Sequence, residues 1–152
     1  VALVMHAIVA NTREFFEGEH GVPLHDDVAD NQSLFGATVM IALQGRIDMP
    51  VAFSVQDDLA DAVYGWMTEG FGALAGDVQE HRNSAVAELL NTVLGQSTVD
   101  LQHLDQQGIG LTPPVVLDGA ETLPANTFVR CQRGFVTEYG RLNIMLIEPL
   151  ES

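Results

Sequence analysis

The 152-residue sequence contains no lysine. All six of its Lys/Arg positions are arginine, set against 21 Asp and Glu, and the formal net charge is −15. Without Lys there can be no Gly-x-x-x-x-Gly-Lys phosphate loop. A surface this acidic repels nucleic-acid phosphates and anionic membranes, and a protein partner with a basic contact surface is the natural expectation. There is one cysteine, Cys131. It excludes an internal disulfide and fits a reducing, cytoplasmic setting. No apolar run is long enough to span a bilayer. The opening Val-Ala-Leu-Val-Met lacks the charged flank and cleavage site of a signal peptide. With no initiator Met, it reads as a trimmed start.

What is present suits one domain over residues 1–152. Hydrophobic residues make up 47% and charged residues 18%, enough apolar material for a core and too much for disorder. Residues 2–18 carry Leu3, Val4, Ala7, Ile8, Phe15 and Phe16 at helical spacing. Gly18 and Gly21 stop that helix, and the Pro23- and Asp-rich stretch to Gln32 reads as a loop. Leu34–Leu43 and Met49–Ser54 form a hairpin about Gln44-Gly45-Arg46, with Gly36 marking a bulge or close packing. Ser54 is expected to cap a second helix, with Asp57 completing a capping-box-like start. Leu59, Ala62, Val63, Trp66 and Met67 form its apolar stripe, in which Trp66 is read as core. Glycines 65, 70, 72 and 76 end it.

A third helix is predicted from Asp77, with Glu80 placed for a capping box, to about His103. Ile109–Leu111 and Val115–Leu117 read as short strands around Thr112-Pro113-Pro114, and Asp118-Gly119 as a turn. Asn126–Val136 and Tyr139–Ile147 read as a second hairpin about Thr137 and Glu138. This order of elements predicts an α+β fold, an antiparallel or mixed sheet with long helices packed on one face.

The five histidines, at 6, 20, 25, 81 and 103, include no i, i+4 pair and no cysteine partner, so zinc has little support. His20 and His25 lie near Asp26 and Asp27, where solvated loop polarity outweighs a metal site. Cys131 is read as a core or edge residue. No nucleophile-elbow pattern supports a hydroxyl–His–acid triad.

The informative stretch is Ser84–Gly95. At 100° per residue Ser84, Glu88, Asn91 and Gly95 share one helix face, and Val86, Leu89, Leu90 and Val93 share the opposite one. The second face is to be buried. Gly inside a helix costs about 1 kcal/mol against Ala, so its alignment with Glu88 and Asn91 suggests that something approaches that face closely. Glu and Asn are also ordinary surface residues, and context must decide.

That context is a hairpin, the helix Asp57-Asp-Leu-Ala-Asp-Ala-Val-Tyr-Gly-Trp-Met67, the motif helix, the segment Pro113-Pro-Val-Val-Leu-Asp-Gly119 and a terminal hairpin. From about Leu34 to Glu148 this order resembles the CheX members of the CheC/CheX/FliY chemotaxis phosphatase family. The first helix reads Asn11-Thr-Arg-Glu14, without a Glu-x-x-Asn, which places the chain with the single-motif, CheX-like branch. The resemblance implies dephosphorylation of a CheY-type response regulator. Glu88 would contact a Lys of the regulator, Asn91 would orient the attacking water, and Ser84 would touch the same partner. Magnesium and the phosphoryl aspartate would belong to the partner, leaving this chain with no cofactor of its own. CheX relatives pair through their sheets, so the resemblance also implies a homodimer, for which Tyr139–Ile147 is the candidate edge. Gly95 would let the partner's loops come near. A non-catalytic module that docks a regulator or a flagellar component stays open as the alternative. The enzyme reading requires Glu88 and Asn91 to project side by side into solvent.

Overall fold

A computed structural model describes residues 2–27, 34–45, 48–68, 77–105, 108–117 and 126–149. Helix α1 (Ala2–Arg13) runs into a π-helical turn (Glu14–Glu19). The order then continues β1 (His25–Asp26), β2 (Ala37–Gly45), β3 (Met49–Val55), α2 (Asp57–Thr68), α3 (Val78–Asp105), β4 (Ile109–Leu111), β5 (Val115–Val116), β6 (Thr127–Val136) and β7 (Arg141–Pro149). The strands make one seven-stranded sheet in the order β1-β6-β7-β3-β2-β4, with β5 also on β2, and every pairing is antiparallel. The fold is α+β, as the sequence predicts.

The core lies between sheet and helices. Val39, Ile41 and Leu43 of β2, Val51, Phe53 and Val55 of β3, and Leu142, Ile144 and Leu146 of β7 alternate onto the helix side. Val4 and Ile8 of α1, Leu59 and Val63 of α2, and Val86, Leu89, Leu90, Val93 and Leu94 of α3 cover them. Each such fully buried aliphatic side chain contributes roughly 1.5–3 kcal/mol relative to exposure. Trp66 packs on this core among Phe15, Phe16 and Tyr139, with His20 stacked on its indole face at 4.7 Å. His20 is therefore part of an aromatic cluster and not only loop polarity.

Two local expectations need correction. Ser54 does not cap α2. It lies in β3, fully buried, opposite Thr38 of β2. Its Oγ accepts from the Phe35 N–H at 2.6 Å and shares a hydrogen bond with Thr38 Oγ1 at 2.9 Å, while Thr38 Oγ1 donates to the Phe35 carbonyl at 2.9 Å. One proton arrangement satisfies all three bonds: Thr38 gives to Phe35 O, and Ser54 gives to Thr38. The α2 helix instead begins at Asp57, and Asp57 and Asp58 in its first turn complement the helix dipole. Gly65 sits inside α2, and glycines 70, 72 and 76 lie outside the described residues.

The second correction concerns Tyr139–Ile147. Most of that segment forms β7, which is paired on one side with β6 and on the other with β3, so it is no edge. The hairpin itself is present, with Thr137 and Gly140 closing the turn and Gly140 at φ +152°. Gly36 precedes β2, and a Cβ there would collide with the Asp57 carboxylate, which is the close packing the sequence suggested. The turn at Arg46 and the one at Asp118-Gly119 lie outside the described residues.

Candidate functional site

Helix α3 carries the motif. Its 28 residues give a rod of about 42 Å. At its start Asp77 Oδ1 accepts from the Gln79 N–H at 2.8 Å, an N-cap, and Glu80 stands in the first turn. The Gln79 side chain also donates to the Gly36 carbonyl at 3.0 Å, tying the helix start to the sheet.

One turn on, Arg82 clamps α3 to α2. Its guanidinium donates to Asp61 at 2.7 and 3.0 Å and stands 3.4 Å from Asp57. The hydrogen bond that Asp61 accepts raises the Arg82 pKa, desolvation opposes the rise, and the charges of Asp61, Asp57 and Asp58 add to it. Tyr64 stacks on His81 at 4.8 Å between the same helices.

The motif residues are distributed by this anchoring. Leu89, Leu90 and Leu94 are wholly buried and Val93 nearly so, and they fix the rotation of the helix. Ser84, Glu88 and Asn91 are exposed, and Gly95 is half-buried. The two sides that helical periodicity separates are thus the inner and outer faces of α3. Among the described residues no hydrogen bond, ion pair or ring contact engages the side chains of Glu88 and Asn91. They are one turn apart, held by a helix that cannot rotate without unburying leucine. At Gly95 an added Cβ would meet nothing within 4 Å among the described residues, so none of them demands glycine there.

Sequence reasoning missed the neighbour of this face. Asn11 of α1 donates from its amide nitrogen to Ala7 O at 2.9 Å, Ser97 Oγ at 3.1 Å and Asp100 Oδ2 at 2.9 Å. Gln96 donates to the other Asp100 oxygen at 3.1 Å. Beside this clasp the π-turn and α3 leave a cleft of about 390 Å³, whose wall includes Glu14, Glu19, Thr92 and Asp100 and, among the described residues, no Lys or Arg. Asn11 is thus pinned where Asn91 is free. Nothing in the Asn11-Thr-Arg-Glu14 pattern signals this, because the partners are 86 and 89 residues away.

His25 lies in β1, and among the described residues no group of three or more His, Cys, Asp or Glu is placed to hold a metal ion. Cys131 is half-buried in β6, next to the register shift between Val129 and Cys131. Among the described residues no helix is long and apolar enough to cross a membrane.

Chemically, the free pair offers a carboxylate and an amide. The amide both donates and accepts, so it can hold a water molecule without acting as a base. The carboxylate can pair with a cation. Held by one rigid helix, the two groups can position a water molecule and a partner's cation relative to each other.

The sequence model of one family, described as Chemotaxis phosphatase CheX, matches residues 37–132. No curated protein matches the chain in sequence. Among solved structures, the chemotaxis protein CheX of Desulfovibrio desulfuricans is similar at TM-score 0.71 and 17% identity, covering 95% of this chain and 99% of that one. CheX of Vibrio vulnificus is similar at TM-score 0.72 and 15% identity, covering 95% and 96%. The chain matched in the CheX–CheY–BeF3–Mg2+ complex of Borrelia burgdorferi gives TM-score 0.63 at 14% identity, covering 99% and 97%.

Proposed function

Since this chain belongs to the CheX family of chemotaxis phosphatases, we propose that it hydrolyses the acyl phosphate of a phosphorylated CheY-type response regulator, with Asn91 positioning the attacking water. The observation that carries the reading is the exposed, unengaged Glu88–Asn91 pair on a helix whose opposite face is locked into the core. In the relative from Borrelia burgdorferi, CheX is in complex with CheY, BeF3 and Mg2+. A regulator of that type is the partner proposed here.

The reaction suits so sparse a site. Water attacks phosphorus in line with the aspartyl oxygen, the P–O bond to the aspartate breaks, and inorganic phosphate and a carboxylate leave. Charge on the transferring group is met by a magnesium ion and a basic residue in the regulator, so this chain needs no cofactor of its own. What remains is to hold the water at the right angle, and one fixed amide can do that. Glu88 would pair with the regulator's Lys and set the depth at which Asn91 enters. Ser84 lies one turn before Glu88 on the same face, and Gly95 one turn beyond Asn91 leaves room for the partner's loops. The protein acts on a regulator in the cytoplasm, as a single domain and as a homodimer.

The test is loss of acyl phosphate from purified phosphorylated CheY-type regulators, with and without this protein. Asn91→Ala is expected to keep the fold, since truncating an exposed residue shifts stability within about 0.5 kcal/mol. It should still bind a beryllofluoride-loaded regulator and should lose turnover. Full activity in Asn91→Ala would sink the mechanism. Binding without turnover in the unmutated protein, on every regulator tried, would put the non-catalytic docking module in its place.

A further inference from the structure

The outer face of α3 does not end at Gly95. Steps of four and three residues carry the same stripe on to Val99 and Gln102. Asn91 and Val99 are eight residues apart along the helix, or about 12 Å at the helical rise. Val99 is 45% exposed. With Gln102 and His103 it lines a shallow depression of about 300 Å³.

An exposed valine alone is unremarked on any surface. What singles this one out is its register with Gly95. On an exposed helix face, where packing does not choose the residue, strong helix formers are favoured. Here two consecutive positions of one stripe hold glycine, the poorest helix former after proline, and a β-branched residue. Neither is required from inside: a Cβ at Gly95 would meet nothing within 4 Å among the described residues, and Val99 faces solvent. Both properties follow if a partner covers the stripe, lying close to the backbone at Gly95 and placing an apolar group against Val99. A specific interface takes about 800 Å² from each side, far more than one carboxylate and one amide supply.

We infer that the face docking the response regulator extends two turns beyond Asn91, and that Val99 is a specificity-determining contact for an apolar side chain of that regulator. The inference rests on the proposed function, and its failure can be told apart from failure of that function.

The experiment uses the full chain and the regulator whose acyl phosphate it hydrolyses in the assay above. Val99→Gln removes the apolar contact and places a better helix former there, with no change of charge. It is expected to raise KM about tenfold, the scale of one interface contact, with kcat within twofold and a thermal midpoint no lower than before. Val99→Leu should restore KM to near the starting value. Gly95→Gln should raise KM while raising the thermal midpoint, because glutamine is the better helix former. Leu3→Gln, at an exposed apolar position on α1, serves as the control and should change nothing. An unchanged KM in Val99→Gln, with Asn91→Ala still inactive, overturns the inference and leaves the proposed function standing. If a regulator binds without turnover, the same variants are read by its Kd, with the same tenfold change expected and an unchanged Kd in Val99→Gln overturning the inference. Absence of both hydrolysis and binding on all regulators removes both.

Discussion

At the scale of single residues, polar groups of like chemistry divide into those the chain uses on itself and those it leaves unused. Asn11 spends its amide on three acceptors, and Asn91 spends none among the described residues. Glu88 is likewise unengaged, while Asp57 and Asp61 hold Arg82. Glu88→Ala is therefore expected to leave the thermal midpoint unchanged and to weaken binding to a beryllofluoride-loaded regulator. The loss should be about 2–5 kcal/mol, the range for removing one partner of a charge pair desolvated on docking. Isothermal titration of the two proteins reads this directly, and equal affinity would remove Glu88 from the interface. Ser54 is the opposite case. Ser54→Ala deletes the acceptor for the Phe35 N–H and the donor to Thr38 in a buried network. Leaving such groups unpaired costs about 1–3 kcal/mol, measurable in urea unfolding, whereas a helix cap at the surface would have cost less on average. A loss of only a few tenths would show that the network relaxes onto other partners.

At the scale of elements, α3 was readable and its surroundings were not. Its apolar positions repeat at helical spacing for three turns, so Leu89, Leu90 and Val93 declare the buried face and Ser84, Glu88 and Asn91 the open one. Asp77 declared the start, and it caps there. Ser54 misled because serine before an acidic helix start satisfies two local rules at once, and burial against Thr38 is a matter of strand pairing. The β2–β3 hairpin was legible for its β-branched runs. The edge assignment of Tyr139–Ile147 failed because alternation shows that a segment is a strand and not where it sits in the sheet; β3 closes one side of β7 and β6 the other. The π-turn after Arg13, which brings Glu14 and Glu19 to the wall of the cleft, has no periodic signature in six residues. The clasp between α1 and α3 gives a prediction at this scale. Asn11→Ala should cost about 1 kcal/mol of stability, the net worth of a hydrogen bond and more where a partner is left short, with kcat unchanged. A fall in kcat with intact stability would mean that α1 carries a second working amide.

At the scale of the whole molecule, the charge of −15 sets the sign of every association. Toward a regulator the charge should help. Glu88 and the acids along the neighbouring cleft, Glu14, Glu19 and Asp100, are exposed, so added salt should slow encounter with a basic surface. Toward a second copy of itself the charge opposes contact, and the interface must lie where acids are scarce. With β7 interior, it cannot supply an edge for that contact; among the described residues β6 pairs with β1 at Phe135 and Val136 and takes the Asp27 N–H on its Gly134 carbonyl. The run Thr127–Val136 contains no Asp or Glu, has two of the six arginines, and exposes Phe128. A segment with so few acids is where two copies of so acidic a chain can approach one another. The two associations should therefore respond to salt in opposite directions. Between about 50 mM and 500 mM salt, as the Debye length falls to a few ångströms, KM for the phosphorylated regulator should rise. Over the same range, sedimentation equilibrium at micromolar protein should shift further toward twice the 16.4 kDa chain mass. A monomer of 16.4 kDa at every salt concentration would exclude the homodimer, and a dimer that dissociates as salt is added would place its interface on ion pairs and away from β6.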